Sequence, residues 1–372
     1  MIIGIPKEIK DHEYRVGATP ALVSLLVQAG HVVLVQKSAG TKVGFTDTLF
    51  EKAGATLVAD AEAIYGEGEL IVKVKDIQPS EFPLLREGQI LFCYLHLAPD
   101  PVQLKYLIES KVIAIAFETV TDEKGGLPLL TPMSEVAGRI AIQAGATCLQ
   151  MSHGGKGLLL GGVPGVPPAK VIIIGGGVVG TQVARMAIGF GADVTILERR
   201  LTRLRELDDL YGSKLKTIYS TPASIEEGAI AADLLVGAVL VPGKSAPKLI
   251  TEEMIRQMSP GSVFVDVAID QGGCSETSRP TTHSDPTYIV HDVVHYCVAN
   301  MPGVCARTST QALTNAITPY VLELAQKGLN QALVDDPGLR DGLNTYRGHV
   351  TNPHVAHDCG YEYHPTENFL GI

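Results

Sequence analysis

The N-terminal third of the chain alternates short apolar runs with amphipathic stretches of helical period. The apolar runs are MIIGI (1–5), HVVLVQ (31–36), LIVKV (70–74), QILFCYL (89–95) and VIAIAFE (112–118). Two of the amphipathic stretches between them are ALVSLLVQAG (21–30) and DPVQLKYLIES (100–110). Strands that alternate with helices indicate a parallel sheet covered by helices. We therefore predict a Rossmann-like domain here, although this part of the chain lacks the GxGxxG motif that is typical of dinucleotide-binding turns.

A second series of the same kind lies in the middle of the chain. A long helix is predicted to begin near Thr131 and Pro132, because a capping residue followed by proline is typical of a helix start. Apolar runs then predict further strands at 171–174, 194–198, 216–220, 234–239, 262–268 and 287–292. A second long helix is predicted over 308–328, whereas the tail, 330–372, is polar and turn-rich.

The first strand of this second series leads into a glycine-rich turn, VIIIGGGVVG (171–180). Gly175 permits a tight turn, Gly177 lets the backbone approach a pyrophosphate, and Gly180 lets the next helix lie close to the sheet. The next strand, VTILE, ends in Glu198, whose carboxylate can accept hydrogen bonds from both ribose hydroxyls. The sequence therefore predicts a dinucleotide site that prefers NAD to NADP, and the alternative is an α/β turn that binds nothing.

Three arginines follow Glu198 and offer another interpretation. Arg199, Arg200 and Arg203 could hold the 2′-phosphate of NADP. We favour a solvated basic start to the next helix, because the carboxylate of Glu198 would repel a phosphate.

The two series together predict an α/β fold of two Rossmann-like, doubly wound parallel-sheet domains. The fingerprint lies mid-chain, and the helix over 308–328 is expected to return to the first domain. We therefore predict that the NAD-binding domain, 131–304, is inserted into a split catalytic domain formed by 1–130 and 305–372.

Composition excludes several other classes. The net charge of −10 argues against nucleic acid or an anionic membrane as a partner. The six cysteines show no CxxC spacing, which argues against a zinc site or a disulfide framework. Neither a signal-peptide pattern nor an apolar run of about 20 residues is found. We expect a soluble, cytoplasmic protein.

Polar residues follow several of the predicted strands. Lys75, His96 and Glu118 lie at strand ends, Arg15 lies shortly after the first strand, and Asp270 follows a strand of the second series. Ligands of parallel sheets bind at the carboxyl ends of the strands. An arginine fork binds carboxylate, lysine stabilises a carbonyl oxygen, and histidine transfers protons near neutral pH. Each residue alone is also explained as an ordinary surface charge or a satisfied polar group.

Around these residues the sequence closely resembles the alanine dehydrogenase family along almost its whole length. The matching segments include GIPKEIKDHEYRVGATP, LIVKVK, YLHLAP, LLTPMSEVAGR, GGVPGVPPAKVIIIGGGVVG, VDVAIDQGGCSET and ANMPGVCARTSTQALTNA. The resemblance implies a hexameric enzyme that uses NAD to convert L-alanine reversibly into pyruvate and ammonium. It also implies a cofactor domain inserted into a split catalytic domain.

Carried over to this chain, the resemblance implies roles for individual residues. Arg15 and Lys75 would bind the substrate, His96 would be the acid/base, and Asp270 would assist the water and ammonia steps. The expected NAD site, with the fingerprint included, consists of Ser134, Gly175, Gly177, Val178, Val179, Gly180, Glu198, Arg203, Ser220, Val239, Leu240, Val298, Asn300 and Met301.

The sequence departs from the family pattern in a few places. Glu198 stands where the family often has the shorter aspartate, and Ala306 replaces a proline. The tail contains His349, His354, His357 and His364, but their irregular spacing gives little support for a metal site, and we expect none.

Three other functions stay open. A transhydrogenase subunit is disfavoured because such subunits lack the histidine of YLHLAP and the aspartate before QGG, and this chain has both. A dehydrogenase for lysine or saccharopine would need a further charged group in the pocket, and no candidate is evident. An inactive NAD-sensing module is disfavoured by the intact set of polar residues.

Overall fold

The computed structural model describes residues 1–239 and 246–371. The chain folds into two compact units. The first unit consists of Met1–Met133 together with the segment that begins at Gly303, and the second consists of Ser134–Pro302. Both units are mixed α/β structures built on a sheet that is mostly parallel.

The strands of the described residues are β1 (Ile2–Ile5), β2 (Val32–Gln36), β3 (Thr56–Val58), β4 (Leu70–Val72), β5 (Ile90–Cys93), β6 (Ile113–Ala116), β7 (Lys170–Ile174), β8 (Asp193–Glu198), β9 (Lys216–Tyr219), β10 (Leu234–Gly237), β11 (Val263–Asp266), β12 (Thr287–Val290), β13 (Val293–Tyr296), β14 (Leu343–Tyr346) and β15 (His349–Val350).

The α-helices of the same residues are α1 (Pro20–Gln28), α2 (Asp47–Lys52), α3 (Ala61–Glu67), α4 (Pro101–Glu109), α5 (Thr131–Cys148), α6 (Val178–Gly189), α7 (Leu201–Tyr211), α8 (Pro222–Ala231), α9 (Glu252–Gln257), α10 (Ala306–Lys327), α11 (Leu329–Asp335), α12 (Pro337–Asp341), α13 (Pro353–Cys359) and α14 (Glu367–Leu370).

The sheet of the first unit has the strand order β15-β14-β6-β5-β4-β1-β2-β3. Strands β1 to β6 pair in parallel, whereas β14 pairs antiparallel with both β6 and β15. The central strands β4 and β5 are buried along their whole length, because apolar clusters cover both faces of the sheet. In this order β4 lies between β5 and β1, so the carboxyl ends of the three strands are neighbours.

The sheet of the second unit has the order β12-β13-β11-β10-β7-β8-β9. All of its pairings are parallel except that of β12 with β13 at one edge. Two apolar clusters again cover the two faces. The fingerprint strand β7 is central and lies between β8 and β10, so the turn after it opens where the chain reverses its direction of winding.

The α/β fold predicted from the sequence is confirmed, and the predicted strands form at the expected places within a few residues. The sequence missed four strands, β3, β13, β14 and β15. The tail differs most from its expected turn-rich character, because it folds into four short helices and the β14–β15 hairpin. That hairpin is stabilised by pairing with β6, a contact over more than two hundred residues that local sequence pattern does not reveal.

Candidate functional site

The glycine-rich turn after β7 contains two glycines in crowded positions and one in an open position. Gly175 has a φ of 105°, and a Cβ atom there would lie 2.6 Å from the carbonyl oxygen of Ala238. A Cβ at Gly180 would overlap the carbonyl oxygen of Gly175. Gly177 caps helix α6, and a Cβ there would meet no other atom within 4 Å. The tight positions thus shape the turn, and the open position leaves its backbone approachable. Binding by these glycines stays a prediction.

The first residues of α6 complete this turn. Val178 is exposed and Val179 is buried against the sheet. Their backbone N–H groups belong to the first turn of the helix, which lacks carbonyl partners within the helix and attracts anions.

Glu198 ends strand β8 directly beside the glycine turn. Its Oε2 accepts a hydrogen bond from the backbone N–H of Gly176 at 2.9 Å. Its Oε1 accepts from the backbone N–H groups of Arg199 at 2.9 Å and Arg200 at 3.0 Å. Partial burial opposes ionisation, but the hydrogen bonds from Arg200 and Gly176 outweigh it and lower the pKa of this carboxyl. An ionised acceptor therefore stands at the place expected to receive ribose hydroxyls.

Arg203 contacts the glycine turn from the side of α7. Its Nε donates to the carbonyl oxygen of Gly176 at 2.8 Å, and its Nη2 donates to the hydroxyl of Thr181 at 2.7 Å. Its Nη1 pairs with Glu206 at 2.6 Å. Because all three nitrogens of the guanidinium already have partners, these contacts disfavour binding of an NADP 2′-phosphate by Arg203.

Other residues expected around a dinucleotide lie at strand ends and on α5. Ser220 follows β9 and donates its backbone N–H to the carbonyl oxygen of Glu198 at 3.1 Å. Val239 follows β10 and is half-buried, as is Ser134 in α5. The predicted contact residue Leu240 lies outside the described residues.

The segment 298–301 follows β13 and touches the Asp270 loop. Asn300 has a φ of 58° and donates its backbone N–H to Asp270 Oδ1 at 3.1 Å. The side chains of Val298 and Met301 pack in the hydrophobic core of the second unit. This packing leaves the backbone of the segment as the part that a ligand could reach.

Asp270 lies in a 3₁₀ helix, Val267–Gln271, that follows β11, and it is exposed. The loop around it is fixed by Asp266, the last residue of β11, which the sequence analysis did not single out. Asp266 is fully buried and accepts hydrogen bonds from the backbone N–H of Cys274 at 2.8 Å and the hydroxyl of Ser278 at 2.5 Å. The only available signal in the sequence was an acid at the end of an apolar strand.

In the first unit, Arg15 is buried against Glu13. The guanidinium forms a fork, with Nε donating to Oε1 at 2.7 Å and Nη2 donating to Oε2 at 2.6 Å. Its Nη1 lies 3.0 Å from the sulfur of Met133. Although burial opposes it, the charge of Glu13 raises the pKa of Arg15. Glu13, which orients this side chain, is not among the residues predicted from the sequence.

Lys75 follows strand β4 and is half-buried. Its backbone N–H donates to Oε1 of Glu8 at 3.3 Å, and the N–H of Val74 donates to the same oxygen at 2.6 Å. Lys73, two positions earlier, is predicted only as part of a strand. In the folded protein it is fully buried and forms an ion pair with Glu81 at 2.7 Å.

His96 follows strand β5 in a left-handed conformation, with a φ of 48°. Its backbone N–H donates to Oε1 of Glu118 at 2.6 Å, and its Nδ1 lies 3.8 Å from the same oxygen. The imidazole stacks on the ring of Tyr94, with centroids 5.9 Å apart. With 45 % of its side chain exposed, His96 can reach a solvent-borne ligand.

Arg15, Lys75 and His96 thus follow β1, β4 and β5, which are neighbours in the middle of one sheet. All three residues come after the carboxyl ends of these parallel strands. Asp270 belongs to the other unit. Within residues 1–239 and 246–371, no group of three or more His, Cys, Asp or Glu side chains is arranged to hold a metal ion. Over the same residues, none of the helices has both the length and the apolar character needed to cross a bilayer.

Two family models match the chain. The model described as "Alanine dehydrogenase/PNT, N-terminal domain" matches residues 4–137, and "Alanine dehydrogenase/PNT, C-terminal domain" matches residues 141–353.

Individual proteins agree with these models. The chain is 56 % identical to an alanine dehydrogenase of Halomonas elongata over 371 residues, which cover 100 % of both chains. It is 55 % identical to an alanine dehydrogenase of Bacillus subtilis, over 100 % of this chain and 98 % of the relative.

Among solved structures, an L-alanine dehydrogenase superposes with a TM-score of 0.93 at 49 % identity, covering 96 % of this chain and 99 % of the other. A transhydrogenase from Sinorhizobium meliloti superposes with a TM-score of 0.83 at 24 % identity, covering 94 % of this chain and 100 % of the other, and this likeness concerns the fold alone. The sequence models, the full-length relatives and the fold agree, and the chain belongs to the alanine dehydrogenase/PNT family.

Proposed function

We propose that this protein is an NAD-dependent alanine dehydrogenase, which converts L-alanine, NAD⁺ and water into pyruvate, ammonium, NADH and a proton, reversibly. The observation that carries this proposal is identity of 53 to 56 % over the full chain with proteins named alanine dehydrogenase. The polar residues at the ends of β1, β4 and β5 fit the same reaction, because they include an arginine that Glu13 holds in place, a lysine and an imidazole.

The cofactor proposed for the second unit is NAD. The approachable backbone at Gly177 and the N-terminus of α6 suit a pyrophosphate, and the ionised carboxylate of Glu198 suits two ribose hydroxyls. When bound, NAD⁺ supplies the acceptor for the hydride that leaves the Cα atom of alanine. The engagement of Arg203 with Gly176, Thr181 and Glu206 supports a preference for NAD over NADP.

The substrate is proposed to bind in the first unit. Arg15 binds the carboxylate of alanine or pyruvate, held in orientation by Glu13. Lys75 binds the carbonyl side of the substrate and stabilises negative charge as it develops on that oxygen.

His96 and Asp270 are proposed to handle the proton transfers. After hydride loss the substrate is an iminium, and these residues assist the addition of water to it and the deprotonation that follows. The carbinolamine then collapses to pyruvate and ammonium. The exposed imidazole of His96 and the exposed carboxylate of Asp270 suit groups that must exchange protons with water.

We further propose a cytoplasmic homohexamer, without nucleic acid or membrane as a partner. The family resemblance supports the oligomer, and the net charge of −10 supports the absence of polyanionic partners.

The first experiment is NADH formation with L-alanine at alkaline pH, compared with L-lysine, glycine, L-valine and NADP⁺. We expect strong turnover with alanine and NAD⁺ only. The chain contains no tryptophan, so the fluorescence of bound NADH can be followed in the same sample with little protein background. Tight NADH binding without turnover of any amino acid would favour a transhydrogenase-like or NAD-sensing role instead, and turnover of lysine would favour the dehydrogenase of a larger amino acid.

A further inference from the structure

Five buried charged side chains of the first unit include Arg15, one of the proposed substrate residues, and Glu8, which contacts the backbone of the other, Lys75. We call Glu8, Glu13, Arg15, Lys73 and Glu81 the buried charge cluster. Each of these residues is at most 6 % exposed. Removing a charge from water costs several kcal/mol unless a partner compensates, so the pairing within the cluster determines its properties.

Two of the three carboxylates in the cluster have strong cationic partners. Glu13 is held by the fork of Arg15. Glu81 lies 2.7 Å from the ammonium of Lys73 and also accepts hydrogen bonds from the hydroxyl of Tyr65 at 2.9 Å and the backbone N–H of Gln78 at 2.8 Å. Each of these two carboxylates therefore has a cation directly beside it.

Glu8 is the third carboxylate, and it is placed differently. Its Oε1 accepts the backbone N–H groups of Val74 and Lys75, at 2.6 and 3.3 Å. Its Oε2 is buried and, within the described part of the chain, has no hydrogen-bond partner. Among the described residues, the ammonium of Lys73 lies 3.7 Å from Oε2, and this ammonium already bonds to Glu81. The cluster thus has three acids for two bases, and Glu8 is the acid in excess.

The pKa shifts of Glu8 and Lys73 agree with an excess of one acid in the cluster. Burial first, and then the charges of Glu13 and Glu81, raise the pKa of Glu8 to about 7 against the opposing effect of Lys73. Although burial opposes it, the charges of Glu8 and Glu81 raise the pKa of Lys73, so this lysine stays charged.

The thiol of Cys93 on β5 and the phenol of Tyr65 on α3 are also near Glu8, and burial raises both pKa values well above their usual range. Both groups therefore stay neutral. Asp76 has its own partner, Lys10, at 2.7 Å. Glu8 is thus a member of the cluster whose raised pKa brings its change of charge near neutral pH.

We propose that Glu8 is a positioning residue of the substrate site, which holds the backbone of Lys75 and, by taking up or releasing a proton, sets the charge that a substrate carboxylate meets beside Arg15. This inference rests on the proposed function, in which Arg15 and Lys75 bind the substrate. With Glu8 protonated the cluster is neutral, and a carboxylate arriving at Arg15 meets no excess negative charge. With Glu8 ionised the same carboxylate is repelled. Because coupling between two sites is reciprocal, substrate binding also promotes proton uptake by Glu8.

The test compares wild type with Glu8→Gln, which keeps the size of the side chain and an oxygen for the N–H groups of Val74 and Lys75. The KM for pyruvate is measured from pH 6 to 9 at saturating NADH and ammonium. In wild type we expect KM to rise about fivefold or more as Glu8 ionises, a coupling of ordinary size. In Glu8→Gln that rise is expected to shrink while kcat changes little.

Two controls separate the inference from a loss of structure. Glu8→Asp retains an ionisable carboxyl and is expected to restore the pH dependence of KM. Glu69→Gln removes an exposed carboxylate that also accepts a backbone N–H, from Ile2 at 2.6 Å, and is expected to leave the profile unchanged.

A second readout does not depend on turnover. Calorimetry of pyruvate binding to the enzyme–NADH complex at pH 7, in two buffers of different ionisation enthalpy, gives the number of protons taken up. We expect a fractional uptake in wild type that is reduced in Glu8→Gln. Equal proton uptake and parallel KM profiles in both proteins would overturn the inference while leaving the alanine activity intact, whereas absence of alanine activity in wild type would overturn the proposed function.

Discussion

At the scale of single residues, the chemistry depends on side chains whose immediate neighbours fix their direction and charge. Glu13 orients Arg15, Glu118 binds the backbone of His96, and the turn around Gly176 keeps Glu198 ionised. Fixed geometry of this kind is what positions reacting groups without a further entropic cost at the moment of reaction.

The proposed proton-transfer residues yield the first prediction. His96→Ala and Asp270→Ala are each expected to lower kcat for alanine oxidation by about 100-fold or more, because a positioned acid or base contributes that much. Both variants are expected to retain NADH binding, since neither side chain contacts the glycine turn, although Asp270→Ala also loses the hydrogen bond that Asp270 accepts from the backbone N–H of Asn300. Fluorescence titration with NADH measures the second point, and loss of NADH binding in both variants would contradict the assigned roles.

Glu8 yields a prediction on stability. Its pKa is raised by folding from 4.5 to about 7, so the unfolded chain releases this proton at lower pH than the folded protein does. Stability linked to Glu8 is therefore fully present below pH 4.5, and it is lost as the pH rises through 7. Glu8→Gln removes this loss.

The corresponding measurement is denaturant unfolding of wild type and Glu8→Gln at several pH values. Relative to wild type, the variant is expected to gain on the order of 2 to 3 kcal/mol in free energy of unfolding between pH 5 and pH 8. A difference that stays constant over this range would contradict the raised pKa.

At the scale of elements, the glycine turn between β7 and α6 contains one glycine that the fold requires and one that only a ligand would require. Gly180 is needed because the helix would otherwise collide with the carbonyl of Gly175, whereas nothing in the protein itself crowds Gly177. The two positions can therefore be separated by experiment.

Gly177→Ala and Gly180→Ala form the matched pair. Gly177→Ala is expected to unfold at nearly the wild-type temperature but to bind NADH at least about tenfold more weakly, because the new methyl group occupies the space left for the pyrophosphate. Gly180→Ala is expected to lose about 2 kcal/mol or more of stability as well, through displacement of α6. Thermal unfolding with and without NADH measures both effects. Wild-type NADH affinity in Gly177→Ala would contradict the proposed approach of the cofactor.

At the scale of the whole molecule, the chain consists of two α/β units, and the first is assembled from both ends of the sequence. Residues of α10 pack in the same apolar cluster as β1 and α1, so the C-terminal part completes a core begun at the N-terminus. The loss of that part would therefore expose the core of the first unit.

The proposed oligomer is tested at this scale. Light scattering coupled to size-exclusion chromatography is expected to give a mass six times that of the chain, independent of NADH. A monomer at micromolar concentration would contradict the hexamer and would leave the family assignment unaffected.

Sequence alone determined the features that depend on contiguous residues. The alternation of apolar runs and amphipathic stretches predicted the two α/β series, since strand and helix periods are local. The dinucleotide motif was readable because its strand, turn, helix and terminal acid Glu198 are placed by a single βαβ unit. Arg15, Lys75 and His96 could be singled out as candidates because the carboxyl ends of parallel strands lie on the same side of a sheet, and their roles stay a prediction.

Only the tertiary structure decided which charged side chains are buried and which partners they have there. The contact of Glu8 with the backbone of Lys75 spans 67 positions, and nothing near Glu8 in the sequence predicts it. Lys73 and Lys75 look equivalent in the segment LIVKVK, and the two-residue period of a strand would place both on the same face. In the folded protein, however, Lys73 is fully buried beside Glu81 and Lys75 is half-buried. The β14–β15 hairpin likewise acquires its strand conformation from pairing with β6. These features depend on contacts between distant parts of the chain, because desolvation and pairing are properties of the folded interior.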